Sequence, residues 1–224
     1  MVGAAEAGVP VLVAYPWRYW PPLLYVKQLL DEGRIGRVLS ARTVYGCHFE
    51  HHMPHHAERP DSYLRSLGRG GGCLLEMSHA IDYLRWLCGT ITEVSGVVEM
   101  RELNMAADDC ADMLVQFMSG AMGAVSLSLF LPAVTGWLDI LGERGRITWD
   151  REHGVLLNTF GAEHLSHRAS PPELNEMYLA EARHFLAVVE GKETPRCDAW
   201  DGYQTMRVIS AARKASEEKR WVDV

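Results

Sequence analysis

The stretch CADMLVQFMSGAMGAVSLSLFL, residues 110–131, decides the fold. Side chains alternate between two faces on either side of Ser119-Gly120, a pair suited to a tight reversal. The segment therefore reads as two strands, 110–118 and 122–131, joined as a hairpin. Further strand patterns lie at 91–101, 136–141, 146–150 and 154–160, with a second reversal at Gly142-Glu143-Arg144-Gly145. Strands that follow one another over links this short pair antiparallel. Upstream, a strand is predicted over 38–49, with Leu39, Ala41, Thr43, Tyr45, Cys47 and Phe49 on one face and Ser40, Arg42 and His48 on the other. Helices are predicted at 23–32, ended by Gly33; at 61–67; at 73–88, ended by Gly89; and at 172–190 and 199–219. The class is α+β: one open, largely antiparallel sheet with helices packed on one face. Its other face needs a cover. Leu127, Leu129 and Leu131 predict an apolar surface there, and so a homodimer or higher oligomer through the open sheet.

Residues 9–15 do not alternate. They are continuously apolar, as in a strand buried on both faces of a parallel sheet. Such a strand calls for sheet partners upstream of this sequence. Residues 1–20 thus read as the end of another domain, and 21–224 as the α+β domain proper. A strand left without neighbours exposes unpaired backbone, so it is expected to be disordered, swapped or paired across subunits.

The 224 residues are 48% apolar and 23% charged, the profile of a chain with a sizeable core. Twenty-two basic residues against 29 acidic ones, a net charge of −7, give no cationic footprint for nucleic acid. No apolar run approaches the roughly 20 residues a bilayer requires, and the N-terminal segment lacks the basic start of a signal peptide. Five dispersed cysteines without a CxxC pair fit buried thiols in a reducing, cytoplasmic setting.

On the helix at 73–88, Leu74, Met77, Ile81, Leu84 and Cys88 form one stripe. Nearly opposite, Glu76, His79 and Asp82 recur at three-residue steps, among Leu75, Tyr83 and Trp86. The spacing admits two readings. One is a partly desolvated acid/base group; the other is a buried core histidine flanked by two solvated carboxylates. A second cluster, His48, His51, His52, His55 and His56 with Glu50 and Glu58, has the density of a metal site or of a solvated pocket rim. Pro54 interrupts the helix that would align its members, so no metal ligands are assigned. Trp17, Tyr19, Trp20, Tyr25, Trp137 and Trp149 can stack on sugar faces or simply pack. Asp109 and Asp112 can be substrate ligands or polar groups of a turn and edge.

Several pieces, in order, resemble one family. The segment GGGCLLEMSHAIDYLRWLCG (70–89) resembles the GGG…SHxIDxLxWLxG segment of the Gfo/Idh/MocA oxidoreductases. VLVAYPWRY (11–19) resembles the last strand of their nucleotide-binding domain and the arginine after it. LLDEGRIG (29–36), DDCADMLVQFMSG (108–120), LGERG (141–145) and YLAEARHF (178–185) follow the same pattern. The resemblance implies an NAD(P)-dependent dehydrogenase or reductase acting on a sugar, polyol or related hydroxy compound by hydride transfer. It implies residues 1–20 as a Rossmann-domain remnant, and 21–224 as a substrate-binding domain that dimerises through its sheet. The family histidine falls on His79 as acid/base. Its acidic companion falls on Leu75, and the nearest acid is Glu76. Asp82, Arg18, Tyr19 and Trp17 match the region beside the substrate.

The family's GxGxxG turn and the lysine of its EKP motif are absent. Gly68 and Gly70 to Gly72 follow a polar loop rather than a strand, so they cannot aim N–H groups at a pyrophosphate. No cofactor-binding residue is assigned, and the chain by itself is not expected to hold NAD or NADP. A non-catalytic ligand-binding or dimerisation module of the same fold is the alternative.

Overall fold

The computed structural model describes residues 3, 6–161, 165–167 and 173–224. The chain enters through a 3₁₀ turn, Pro16–Tyr19, and helix α1, Pro21–Asp31. Two prolines start α1, where their fixed φ suits the first turn and their missing N–H is not needed. Gly33, at φ +66°, ends it. Strand β1 is Val38–His48. Two single-turn helices follow, α2 (Phe49–His52) and α3 (Pro54–Ala57), separated at Met53 because Pro54 can only begin a new helix. The helix predicted at 61–67 is two 3₁₀ turns, Tyr63–Arg65 and Leu67–Arg69.

The helix predicted at 73–88 is also divided, into α4 (Cys73–Glu76) and α5 (His79–Cys88). Ser78 N–H bonds the Leu75 carbonyl and Ala80 N–H the Met77 carbonyl, three-residue steps that tighten the chain between them. The apolar stripe survives this: Leu74, Met77, Ile81 and Leu84 are buried.

Strands β2 (Ile91–Glu99), β3 (Cys110–Phe117), β4 (Met122–Ser128), β5 (Phe130–Gly142), β6 (Gly145–Asp150), β7 (Gly154–Thr159) and β8 (Leu165–His167) come next. Helices α6 (Leu174–Val189) and α7 (Ala199–Glu218) and a short β9 (Val222–Asp223) complete the described chain. Residue 172, where a helix was expected to start, lies outside the described residues. The sheet order is β8-β7-β6-β5-β1-β4-β3-β2-β9. Every pairing is antiparallel except β1 with β4, which runs parallel from Ser40↔Met122 to Gly46↔Ser128. The expected open, largely antiparallel α+β architecture is the one observed.

Two expectations are corrected. Residues 9–15 form no strand: among the described residues none pairs with them. Val13 instead donates its N–H to the Cys197 carbonyl and packs against Gly202 of α7. Leu127 and Leu129 face the helix-side core, at 1% and 0% exposure, and Leu129 is the corner where β4 turns into β5. Its N–H bonds the Asp109 carbonyl and its carbonyl accepts from Phe49 N–H, so the chain leaves the β4 ladder there. The open face is mixed instead. Arg42, Val44, Ser95, Leu114, Ser126 and Trp137 surround a shallow concavity of about 460 Å³ on it. Among the described residues no helix is long and apolar enough to cross a membrane.

Candidate active site

His79 is the first residue of α5, at the positive end of the helix. Its ring meets Tyr15 edge-to-face at 5.5 Å and 88°, and Tyr45 at 6.3 Å and 83°. The residue is half-buried, and its Nδ1 is buried without a hydrogen-bond partner. Burial alone lowers its pKa to about 4. The imidazole is therefore neutral at physiological pH.

The other two members of the trio are drawn elsewhere. Glu76, half-buried on α4, accepts a hydrogen bond from Tyr63 Oη at 2.9 Å. Asp82 is fully buried and forms a bidentate pair with Arg18, Nε–Oδ2 at 2.9 Å and Nη2–Oδ1 at 2.8 Å. Arg18 Nη1 also donates to the Arg196 carbonyl at 2.6 Å and to Asp201 at 3.0 Å. Burial opposes the guanidinium charge, but the Asp82 carboxylate outweighs it and raises the Arg18 pKa. The pair ties the 3₁₀ turn at Pro16–Tyr19 to α5 and α7. Its polar atoms are engaged by partners within the protein.

Trp17 is buried in an aromatic cluster with Trp20, Tyr45, Tyr83 and Trp149, its Nε1 donating to Tyr45 Oη at 3.2 Å. Tyr19 is buried beneath the Arg196 guanidinium, 4.9 Å from the ring centre, and against His184. Burial pushes its hydroxyl up to about 12. Thus the aromatic residues at 17–20 pack, and the wall nearest His79 is Tyr15 and Tyr45. Tyr45 was visible on the inward face of β1. Tyr63, whose hydroxyl meets Glu76, carried no signal in the sequence.

Asp109 and Asp112 also have structural partners. Asp109 is buried and accepts three backbone N–H bonds, from Arg101, Glu102 and Leu103, which folds the loop after β2. Asp112 accepts from Ser126 on the open face at 2.6 Å.

Nothing in the glycine run fits a dinucleotide. Gly71 N–H bonds the Ser66 carbonyl, Gly72 N–H the Leu64 carbonyl, Cys73 N–H the Asp108 carbonyl and Leu74 N–H Asp108 Oδ2. The glycines allow close packing: a Cβ on Gly72, at φ +101°, would lie 2.5 Å from Asp108 Oδ1. These N–H groups are all bonded within the protein. In the histidine cluster, the rings of His48 with His51 and of His55 with His56 lie tilted against each other with centres 4.4 Å apart, and His56 Nδ1 meets Ser62 Oγ at 3.0 Å. Among the described residues no three His, Cys, Asp or Glu side chains are placed to hold a metal ion.

The model of the GFO/IDH/MocA C-terminal domain matches residues 23–148. Myo-inositol 2-dehydrogenase of Thermotoga maritima is 32% identical over 181 residues, which cover 74% of this chain and 52% of that protein. D-apiose dehydrogenase of Paraburkholderia graminis is 22% identical over 244 residues, 100% of this chain and 62% of that protein. The chain therefore spans only about half to three-fifths of these relatives. A crystal structure of an NAD binding oxidoreductase from Klebsiella pneumoniae shares the fold, with a TM-score of 0.84 at 21% identity over 99% of this chain and 68% of that one. With a match across more than half its residues, on α1, β1, the His79 helix and the central strands, the chain belongs to the GFO/IDH/MocA family and carries its C-terminal domain.

Proposed function

We propose that this chain is the substrate-binding and dimerising part of an NAD(P)-dependent oxidoreductase that acts on a sugar, polyol or related hydroxy compound. His79 is its acid/base. The observation that carries this reading is the His79 imidazole: neutral, half-buried, its Nδ1 unpartnered, and bounded by Tyr15 and Tyr45. Such a group accepts the proton of a substrate hydroxyl as its carbon is oxidised, and returns it in the reverse direction. Relatives named for myo-inositol and D-apiose support a polyhydroxy substrate, and the Klebsiella pneumoniae neighbour supports NAD as the redox partner. Glu76, whose carboxylate accepts from Tyr63 Oη, contacts a further substrate hydroxyl in this reading. Arg18, Asp82, Trp17 and Tyr19 form the frame behind the histidine.

The dinucleotide is held outside residues 21–224, in a domain to which residues 1–20 connect. Leu179, Phe185, Leu186 and Val189 of α6, with Trp200 and Tyr203 of α7, are exposed apolar side chains that suit packing against it. The open sheet face, with Leu114 at 51% exposure, suits a second copy of the chain. Free cysteines at 47, 73, 88, 110 and 197 suit a reducing, cytoplasmic compartment.

Polyol-dependent reduction of NAD or NADP by the chain joined to a family dinucleotide-binding domain tests the reading. Replacing His79 by Ala should slow it about 100- to 10,000-fold. Turnover indifferent to that change refutes the acid/base role and favours a non-catalytic binding or dimerisation module. Nicotinamide fluorescence gives a second check, since the chain alone should not form a micromolar complex with NADPH.

A further inference from the structure

A general base needs a fixed ring, and a hydrogen bond from its second nitrogen to a carboxylate or carbonyl ordinarily fixes it. His79 has no such bond. Its Nδ1 is buried and unpartnered, Leu75 on the preceding turn offers no acceptor, Glu76 is engaged by Tyr63, and Asp82 by Arg18. Something else must hold the imidazole.

We propose that Tyr15 is the positioning residue of His79: its ring, packed edge-to-face on the imidazole at 5.5 Å, sets the orientation that a carboxylate partner would otherwise set. Tyr15 is itself well anchored. Its N–H bonds the Val13 carbonyl and its carbonyl accepts from Arg18 N–H, so the buried Arg18–Asp82 pair fixes its backbone relative to α5. Its hydroxyl reaches Ser78 Oγ at 3.4 Å, on the residue that immediately precedes His79 and its helix. Tyr45, held by Trp17 Nε1, approaches the same imidazole at 6.3 Å. Two anchored aromatic rings thus bound the imidazole, and edge-to-face packing of this kind has a preferred geometry. Removing the Tyr15 ring frees the imidazole to turn and lets water reach it.

The inference rests on the acid/base role of His79, but it is tested without turnover. In the 224-residue chain, the titration of the His79 ring is followed by NMR, its resonances assigned by loss in His79→Gln. Tyr15→Leu should raise the midpoint by about one pH unit towards the ordinary histidine value, because desolvation alone holds it down. Carbethoxylation of His79, read by peptide mass spectrometry, should speed up severalfold in the same variant. Tyr15→Phe, which keeps the ring, should leave both readouts at the parent value. Tyr15→Met, which refills more of the volume, replaces Tyr15→Leu if the latter loses its far-UV circular dichroism. Unchanged readouts on loss of the ring, or a shift as large in Tyr15→Phe, overturn the inference. Its failure leaves turnover of the joined enzyme dependent on His79, whereas failure of the functional reading shows as turnover indifferent to His79→Ala.

Discussion

Replacing Asp82 by Asn tests whether the Arg18–Asp82 pair is framework. The substitution keeps shape and removes charge. Arg18 is 3% exposed in its side chain and Asp82 is 0% exposed, so water cannot take over from the lost carboxylate. Nε and Nη2 lose their charge-assisted acceptors at 2.9 and 2.8 Å. What remains to the guanidinium is the Arg196 carbonyl and Asp201, whose side chain is 38% exposed and screened. Leaving one partner of a buried ion pair uncompensated costs about 3–5 kcal/mol. At about 2–4 °C per kcal/mol for a chain of this size, the melting temperature should fall by about 6–20 °C. Urea unfolding at pH 7, followed by circular dichroism, measures the free energy directly. Replacing both partners, Arg18→Met with Asp82→Leu, should recover much of the loss and give a coupling of about 2 kcal/mol or more in the double-mutant cycle. A loss below about 1 kcal/mol in Asp82→Asn, with no coupling, would refute the reasoning and return the carboxylate to the list of ligand contacts.

Three other outcomes follow from the geometry. His79 has a folded pKa of about 4, below the ordinary 6.5. The unfolded chain therefore takes up the proton first, and stability falls as pH drops from about 6.5 to 4. The loss is about 1–3 kcal/mol by linkage, and it should shrink in His79→Gln unfolding curves. Gly72→Ala places a Cβ 2.5 Å from Asp108 Oδ1 at a φ of +101° and should lower stability by about 1–3 kcal/mol in urea unfolding. On the proposal that the open sheet face pairs two copies of the chain, Leu114→Glu should lower the sedimentation coefficient in analytical ultracentrifugation to that of a monomer, and the same value in parent and variant would count against it.

Strands β3, β4, β6 and β7 were legible to within a few residues because burial largely alternates along them, so a two-residue pattern survives in the sequence. β5 was the exception. It begins at Phe130 rather than 136, because its first residues pair with the end of β1, as in His48↔Phe130, and long-range pairing leaves no local pattern. Residues 9–15 show the opposite failure, where an apolar run looked like a strand and β structure needs a partner that the described residues do not supply. The site divides in the same way. His79 was legible from its motif and its apolar neighbours. The partners of Glu76 and Asp82 lie 13 and 64 residues away, and the tight turn at Met77 and Ser78 takes Glu76 off the helix that carries His79. Spacing on an ideal helix could show neither.

One measurement bears most directly on the role assigned to this domain. A chimaera places the dinucleotide-binding domain of the Thermotoga maritima myo-inositol 2-dehydrogenase ahead of this chain, and nicotinamide reduction is read at 340 nm against a panel of polyols and sugars. Turnover that His79→Ala lowers at least about 100-fold, with binding of NAD unchanged, is the expected result. Turnover that proceeds equally fast without the imidazole would contradict it.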